Sequence, residues 1–565
     1  MSTDLENVLV VEKLMDLEKV TNPVNTVLVG PVFKTLNVFP AAAASKTQIV
    51  FNNIVAPSLT TVMKRTIRIE MEVQVVVTGT ATAATDPSFH AVDGTSGAYI
   101  PPVSTGGANI CLRANPLAGV CSSVDVRLNG GATNCALASY SQIYPFLQGN
   151  NDVKRYASEC PLQADNSAVY ENTSATSPFN GLNKNSATQS RGSFIAVLTA
   201  ANTYSIKWTE ELIISPFLTG HSMEDIGLVN VNNLTITLRM GDLSAMFSAL
   251  STMTGSIAVD IIALPNLLVE FDTQNSIMSQ RSPQNAVYPY NQIQTYQQPL
   301  GAALPVAGGE ASLALTALRL PCQPSKIYLY IGPVTRSTKV PDHFLRITGV
   351  SINFNNKNSL LNGMDESSLY TMSAFNAGSD RGGFMSWNQW KYGCGSLVVI
   401  DVQRDLSVDE GSQSGSQNQF STLQVTLRYN SANLLYAGLT VTGGTATAVA
   451  ASYNAYQVIV SPGKAYVSAS QAEFIVQGPS PAVVLGLVAD EGSTKIPEDN
   501  VPDSDNPDGK GFSDLVQKGL KLAYEHRGAI YDAAKPHVKK LMGGAYGGQV
   551  DGGWVSAGGL KHRRA

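Results

Sequence analysis

The residue types that usually perform catalysis are scattered along this chain. There are six histidines, and three of them, His526, His537 and His562, lie near the carboxyl terminus. An enzyme needs a nucleophile, a base and an acid within hydrogen-bond reach of one another. The sequence contains no HExxH, GxSxG or phosphate-binding loop motif. It therefore offers no motif for hydrolysis or phosphoryl transfer.

Two short segments bring acid and base residues close together in sequence. Asp342 precedes His343, and Asp401 lies four positions before Asp405. We interpret all of them as turn or strand-edge residues, because carboxylates four positions apart on a strand are about 13 Å from each other. That distance exceeds the carboxylate spacing of inverting glycosidases. The sequence therefore predicts no catalytic residues and no enzymatic activity.

Metal-binding patterns are missing as well. The six cysteines form no CxxC pair, and no histidine follows at zinc-finger spacing. The acidic segment 502–511 lacks the terminal glutamate of a calcium-binding EF-hand loop. We expect isolated buried thiols in a reducing compartment, although a disulfide between distant cysteines stays open. No metal and no cofactor is expected.

Trp387 and Trp390, in the segment GGFMSWNQWKYG, allow two interpretations. Exposed indoles form a shelf on which a sugar ring stacks, whereas buried indoles fill a core. We favour a packing role beneath the second half of the chain.

Alternation of apolar and polar residues dominates the chain and predicts β-strands with one buried face. The clearest run is 66–77, where apolar side chains alternate with charged ones. Turn-rich segments between such runs are typical of β-sandwiches. Further strands are predicted at 124–128, 205–214, 234–240, 257–271, 326–332, 345–354, 396–403, 423–429 and 456–460.

The second half of the chain repeats features of the first half in the same order. Each half contains a strand, an asparagine turn and an aromatic segment, followed later by an amphipathic strand that carries an arginine. The paired segments are 124–131 with 350–357, 137–146 with 367–375, and 233–240 with 422–429. We interpret the repeat as a duplicated domain, with chance similarity of amphipathic strands as the alternative.

The length of 565 residues suits two large all-β domains. Loss of periodicity near 272–290 marks the link between them. We expect an N-terminal arm at 1–45, domains at 46–275 and 276–489, and a tail at 490–565. The charged amino terminus does not fit a secretory signal, and no run of about 18 apolar residues is present, so we expect synthesis in the cytosol.

Charge is scarce and unevenly distributed. Charged residues make up 14% of the chain, and the net charge is −5. Residues 511–565 contain nine Lys or Arg against four Asp or Glu, so that the rest of the chain is acidic. Any binding to an anion should therefore be confined to the tail.

The tail combines an acidic linker with a basic amphipathic segment. Residues 490–508 are rich in carboxylates and proline, which indicates a disordered tether. Ser513 can cap the helix that is predicted after it. The candidate docking residues are the apolar Phe512, Val516 and Leu520 and the basic Lys518, Lys521, Lys535, Lys539, Lys540, Arg563 and Arg564. We expect them to dock inward on a neighbouring subunit, a minor protein, the genome or an internal membrane, with a solubilising extension as the alternative.

Five segments, in this order and spacing, resemble the hexon-like major capsid proteins of double-jelly-roll DNA viruses, in particular those of polinton-like viruses and adintoviruses. They are IVFNNIVAPSLTTVMKRTIRIEMEV (49–73), NPLAGVCSSVDVRLNGG (115–131), 210–240, 342–376 and GSLVVIDVQRDLSV (395–408). The resemblance covers about residues 50–487. It carries over no catalytic residue, and it does not include the tail.

This resemblance implies two tandem jelly rolls, each an eight-stranded antiparallel sandwich. It also implies trimeric capsomers with a pseudo-hexagonal outline that tile an icosahedral virion. The partners would be other copies of the chain, minor capsid or penton proteins, and a host receptor at the outer loops. Two alternatives stay open: a shell-plus-projection coat protein of an RNA virus, and a β-sandwich carbohydrate-binding adhesin.

Overall fold

The computed structural model describes residues between 32 and 475, with gaps. All of them lie in the first of two compact units, 1–485 and 486–565. The described ranges are 32–58, 61–78, 91–100, 111–113, 115–147, 194–212, 227–248, 256–274, 286–301, 304–305, 309–334, 337–338, 343–355, 357–377, 384–392, 395–406, 421–433, 441–442, 445–446 and 452–475.

The first half of the described chain forms a β-sandwich in which the strands pair antiparallel, except for the parallel pairing of β10 with β5. One sheet has the order β1-β15-β4-β11-β10-β5-β6, with β14 also paired to β4, and the other has the order β2-β3-β12-β8-β9. The strands are β1 (Val32–Pro40), β2 (Ala43–Ala44), β3 (Gln48–Ile54), β4 (Val62–Thr78), β5 (Ala91–Asp93), β6 (Tyr99–Ile100), β7 (Cys111–Leu112), β8 (Cys121–Leu128), β9 (Gly131–Cys135), β10 (Phe194–Ala200), β11 (Thr203–Glu211), β12 (Leu234–Met240), β13 (Phe247–Ser248), β14 (Ser256–Ile261) and β15 (Asn266–Gln274).

The second half forms another sandwich. Its sheets have the orders β16-β26-β19-β22, with β27 also paired to β26, and β17-β23-β20-β21, with β18 also paired to β23. The strands are β16 (Ala286–Pro299), β17 (Ala311–Ala314), β18 (Leu318–Leu320), β19 (Lys326–Pro333), β20 (Arg346–Phe354), β21 (Lys357–Leu360), β22 (Val398–Asp401), β23 (Ser421–Asn430), β24 (Val441–Thr442), β25 (Thr445–Ala446), β26 (Tyr453–Val467) and β27 (Ala472–Ile475).

The two sandwiches share one topology. If the eight main strands of each are numbered along the chain, one sheet has the neighbour order first-eighth-third-sixth and the other has second-seventh-fourth-fifth. In the first sandwich these strands are β1, β3, β4, β8, β9, β11, β12 and β15, and in the second they are β16, β17 with β18, β19, β20, β21, β22, β23 and β26. This is the order of an eight-stranded jelly roll.

Short helices connect the strands. After its fifth main strand each sandwich has a helix, and these two helices occupy the predicted aromatic segments 137–146 and 367–375. The helices are α1 (Pro116–Val120), α2 (Leu137–Ile143), α3 (Glu366–Asn376), α4 (Trp387–Tyr392) and α5 (Val402–Asp405), with 3-10 turns at Tyr144–Phe146 and Leu243–Met246. The repeat read from the sequence is therefore a strand, a turn, a second strand and a helix.

Most predicted strands are confirmed, and the differences have local causes. The predicted strand 257–271 is two strands, β14 and β15, because the chain turns at 262–265. The predicted strand 396–403 ends at Asp401, whose side chain accepts a hydrogen bond from the backbone N–H of Arg404 and so begins α5.

Strand β1 lies inside the segment 1–45 that was expected to be an N-terminal arm. It pairs with β15 along its whole length, from Val32 opposite Gln274 to Pro40 opposite Asn266. It is therefore part of the first sheet. The alternation of apolar and polar residues in β1 is too short to have predicted a strand separate from the residues before it. The other domain boundaries stay a prediction.

The cores lie between the sheets of each sandwich. Along β4 the inward residues from Ile67 to Val77 are almost fully buried, while Arg68, Glu70 and Glu72 on the outer face are partly exposed. Strands β19 and β26 differ, because consecutive residues from Ile327 to Ile331 and from Tyr453 to Val460 are all buried. Both faces of these two strands are therefore covered.

Candidate assembly surfaces

The acid and base candidates do not form a reactive site. His343 is buried, and its Nε2 lies 2.9 Å from the hydroxyl oxygen of Tyr453. Asp342 lies outside the described residues. The Asp405 carboxylate accepts hydrogen bonds from the backbone N–H of Asp401 and from the amide of Asn376. The strand spacing of about 13 Å expected for the two aspartates does not apply, because a helical turn joins them.

Of the two tryptophans, Trp390 has the packing role that was predicted. This residue is fully buried, and its indole N–H donates to the carbonyl oxygen of Leu397 at 3.2 Å. Trp387 stacks on it with ring centroids 5.8 Å apart, and the Lys391 ammonium lies 5.2 Å from the Trp387 ring. The Trp390 indole therefore belongs to the core, whereas the Trp387 indole is partly exposed.

Within the described ranges there is no cluster of three or more His, Cys, Asp or Glu residues that could hold a metal ion. Cys121 and Cys135 are buried thiols, and Cys322 is a partly buried thiol. Burial raises the pKa of Cys121 to about 12, which keeps it protonated and unreactive near neutral pH. No helix in the same ranges is long and apolar enough to cross a membrane.

All ten candidate docking residues of the tail lie outside the described residues. They are Phe512, Val516, Lys518, Leu520, Lys521, Lys535, Lys539, Lys540, Arg563 and Arg564. Inward docking by this segment stays a prediction.

The two sandwiches contact each other at a joint. We use "joint" for the contact of β9 and α2 with the outer face of the sheet of β16, β26, β27 and β19, together with the contact of the turn Tyr144–Phe146 with Phe344. Tyr330 of β19 is fully buried there. Its ring stacks on Tyr456 with centroids 4.7 Å apart, and its hydroxyl donates to the carbonyl oxygen of Ser139 in α2 at 2.8 Å.

More aromatic rings extend the joint at both sides of Tyr330. Tyr140 of α2 lies 6.2 Å from Tyr328, and Phe146 meets Phe344 edge-to-face at 6.1 Å. Burial raises the pKa of both Tyr140 and Tyr328. These hydroxyls therefore stay neutral, so the joint contains no buried phenolate charge.

Polar contacts close the joint at its edges. The amide of Asn129, in the turn between β8 and β9, donates to the carbonyl oxygens of Asn230 and Ser468 at 2.6 Å. The buried Arg113 donates to the carbonyl oxygen of Ser337 at 2.7 Å. Asn129 and Arg113 thus tie the first sandwich to backbone atoms of the second.

The backbones come closest at Gly131, the first residue of β9. A Cβ atom placed there would lie 2.1 Å from the carbonyl oxygen of Ala472. We expect Gly131→Ala to force β9 and β27 apart and to speed amide exchange in both strands. Gly363→Ala is the matched control, because nothing lies within 4 Å of its Cβ position. Equal exchange rates in the two variants, followed by mass spectrometry, would contradict this close approach.

Tyr288 gives the joint a dependence on alkaline pH. Burial raises its pKa to about 12, and its hydroxyl oxygen accepts from the backbone N–H of Val229 at 2.7 Å. Since the folded pKa lies above the ordinary value of 10.0, the stabilisation is complete below that pH and is lost as the pH rises toward 12. We expect the free energy of unfolding to fall in this window.

Tyr288→Phe should be less stable near neutral pH, because the Val229 N–H loses its acceptor, but its stability should fall less steeply at alkaline pH. Urea unfolding at a series of pH values, with tyrosinate absorbance as a second readout, measures both slopes. Identical slopes for the wild type and the variant would show that Tyr288 does not contribute.

The sequence contained a signal for the joint that the strand predictions did not use. The segment IYLYI (327–331) in β19 is continuously apolar, and such a run indicates a strand buried on both faces. The strands on the corresponding outer face of the first sandwich alternate between apolar and polar residues instead. On that face, Leu36 and Val38 of β1 are 51% and 53% exposed.

Two family models match consecutive parts of the chain. The model described as the first domain of the Sputnik virophage major capsid protein matches residues 3–279. The model described as the C-terminal domain of the major capsid protein V20 matches residues 288–442. The first match contains the strands of the first sandwich, and the second match begins at the first strand of the second sandwich.

Solved structures share the fold. The cryo-EM structure of the Sputnik virophage is similar with a TM-score of 0.62 and 19% identity, over 82% of this chain and 92% of that chain. The mavirus major capsid protein is similar with a TM-score of 0.55 and 14% identity, over 80% and 92%. No curated protein matches the sequence. The prediction of two tandem jelly rolls is confirmed.

Proposed function

The chain belongs to the double-jelly-roll major capsid proteins, and we propose that three copies of it form a pseudo-hexagonal capsomer that tiles an icosahedral shell. It is a structural subunit of the virion capsid. The observation that carries the proposal is the shared strand order of the two sandwiches. Three chains supply six equivalent sandwiches, and closed three-fold symmetry arranges them as a ring.

Light scattering of the purified full-length chain tests the trimer. We expect a particle of about three times the chain mass of 59.9 kDa. Negative-stain images should show hexagonal capsomers. A monomer at high protein concentration and physiological salt would overturn the proposal.

The shared strand order also argues against the alternative function, a coat protein with one shell domain and one projecting domain. Such a protein has domains of different topology, whereas both sandwiches here have the same neighbour order. The shared neighbour order therefore favours the double-jelly-roll capsomer.

We infer no enzymatic role for the chain, and we assign no glycan site to the tryptophan pair. Trp390 is core, and the Trp387 ring is only partly exposed, since it stacks on Trp390 and lies beside the Lys391 ammonium. We expect Trp387→Ala to leave glycan-array signals at background, like the wild type. A wild-type glycan signal that disappears in this variant would support the adhesin instead.

The tail is proposed to face the interior of the shell, where its basic residues meet the genome, an internal membrane or minor capsid proteins. Seven of the ten candidate docking residues are Lys or Arg, and all of these except Lys535, which precedes a proline, are trypsin sites. We expect added trypsin to cut the tail in isolated capsomers but not in intact particles. Equal cutting in both would place the tail outside. Penton proteins and a receptor at the outer loops are further proposed partners.

A further inference from the structure

The joint inside one chain provides a template for a contact between chains. In the first sandwich the fifth main strand, β9, and the helix after it, α2, contact the outer face of the second sandwich. That face belongs to its first, eighth and third main strands, β16, β26 and β19. The contact is therefore head-to-tail, since two different surfaces of one jelly roll are used.

Each sandwich also has the surface that its partner sandwich uses in the joint. In the second sandwich the fifth main strand is β21, and the helix after it is α3. In the first sandwich the corresponding outer face is that of β1, β15 and β4. Because the two sandwiches share one topology, these two surfaces correspond to the two sides of the joint.

Both surfaces are exposed and carry apolar side chains. Residues 357–359 of β21 are exposed, and Phe375 near the end of α3 is 55% exposed. The guanidinium of Arg404 lies 4.2 Å from the Phe375 ring and holds it against the surface. On the outer face of the first sandwich, Leu36 and Val38 of β1 are more than half exposed.

Several charges on this outer face form ion pairs. Arg68 lies 3.3 Å from Glu270, and Lys207 lies 3.1 Å from Glu70. A partner that covers these two ion pairs would therefore leave none of their four charges isolated, which is the costly outcome of burying a charge. Paired charges beside an exposed apolar edge suit a surface that becomes covered on assembly.

We infer that the surface of β21 and α3 in one copy binds the outer face of β1, β15 and β4 in a second copy of the chain. The inference rests on the proposed trimer and names its contact. Repeated three times, the head-to-tail contact closes into a ring in which joints within chains alternate with equivalent contacts between chains.

A photo-crosslinker tests the pairing without disturbing the fold. Benzoylphenylalanine at position 375 is conservative, and mixed isotope-labelled chains separate crosslinks between copies from crosslinks within one. We expect crosslinks between copies to fall in β1, β15 or β4. Crosslinks to β16–β27 of another copy, or none between copies, would overturn the inference.

Charge insertion tests the same contact by affinity. Phe375→Glu and Val38→Glu should each raise the protein concentration at which the trimer dissociates by about 30-fold, as the loss of a central apolar anchor does. Tyr99→Glu, at a side chain that is 58% exposed on β6 at the far end of the sheet, is the control and should leave dissociation unchanged. Circular dichroism and melting temperature confirm that each variant is folded.

The outcomes separate this inference from the proposed function. If the wild type is a trimer and both charged variants remain one, the capsomer stands and this contact is wrong. If the wild type is a monomer, the capsomer itself is wrong. A Tyr99→Glu effect equal to that of Phe375→Glu would also count against the contact.

Discussion

Replacing Tyr330 by alanine should reduce the free energy of unfolding by about 3–5 kcal/mol and loosen the joint between the two sandwiches. The ring is fully buried, stacks on Tyr456 and is held by the carbonyl oxygen of Ser139. Alanine would leave a cavity at the centre of the joint and would remove the hydrogen bond to α2. Urea unfolding at one fixed protein concentration measures the loss, because assembly shifts apparent stability.

Tyr330→Phe is the matched control. It keeps the stack on Tyr456 and removes only the hydroxyl, so the expected loss is about 1 kcal/mol. Amide exchange should speed up in α2 of the alanine variant and change little in β12, which lies in the core of the first sandwich. If both variants lose the same stability, the aromatic stack contributes little to the joint.

The alanine variant should also assemble poorly. In the proposed capsomer the joint sets the angle between the two sandwiches, and a closed ring of six sandwiches would tolerate only a narrow range of angles. We expect fewer closed shells by electron microscopy for Tyr330→Ala than for Tyr330→Phe. A normal yield of shells from a destabilised alanine variant would show that assembly does not depend on a rigid joint.

Glu210→Ala should cost at least about 3 kcal/mol, because it removes one acceptor from several buried donors. The carboxylate is 1% exposed and accepts from the backbone N–H groups of Leu117 and Ala118, each at 2.9 Å. The indole N–H of Trp208 also donates to it, at 3.2 Å. These backbone groups begin α1 and have no acceptor within the helix. The loss of the hydrogen bonds to Glu210 should release α1 from β11.

Glu270→Ala is the matched control for this substitution. Glu270 is on the outer face of β15, and its ion pair with Arg68 is partly exposed, so that its removal should change stability by less than about 1 kcal/mol. Urea unfolding compares the two variants, and amide exchange reports on Leu117 and Ala118. Equal losses would mean that the Glu210 cap is not stronger than a surface ion pair.

The two positions illustrate different kinds of stabilisation. Glu210 fixes a short connection inside one sandwich, whereas Tyr330 fixes one sandwich against the other. Contacts of the first kind are needed for folding. In the proposed capsomer, those of the second kind would also decide whether six sandwiches close into one ring, and they would connect stability to capsid assembly.

The sequence by itself determined the class of fold and most of its strands. Alternation in β4 and β12 fixes which face is buried, because a strand with one apolar face has one favourable side toward a core. The order of repeated segments indicated a duplicated sandwich, and the resemblance to hexon-like capsid proteins is confirmed at the level of the double jelly roll. Local patterns sufficed here because each strand carries its own burial signal.

The tertiary structure decided which surfaces meet. Sequence did not pair Tyr330 with Ser139, which are 191 positions apart, and it did not show that Glu210 caps α1. It also left β1 in a predicted arm, since only the pairing with β15 makes that strand part of a sheet. Apolar periodicity specifies that a face is buried but not against what, because burial is non-directional. The partner of each face, within the chain and between copies, is set by the arrangement of the two sandwiches in space.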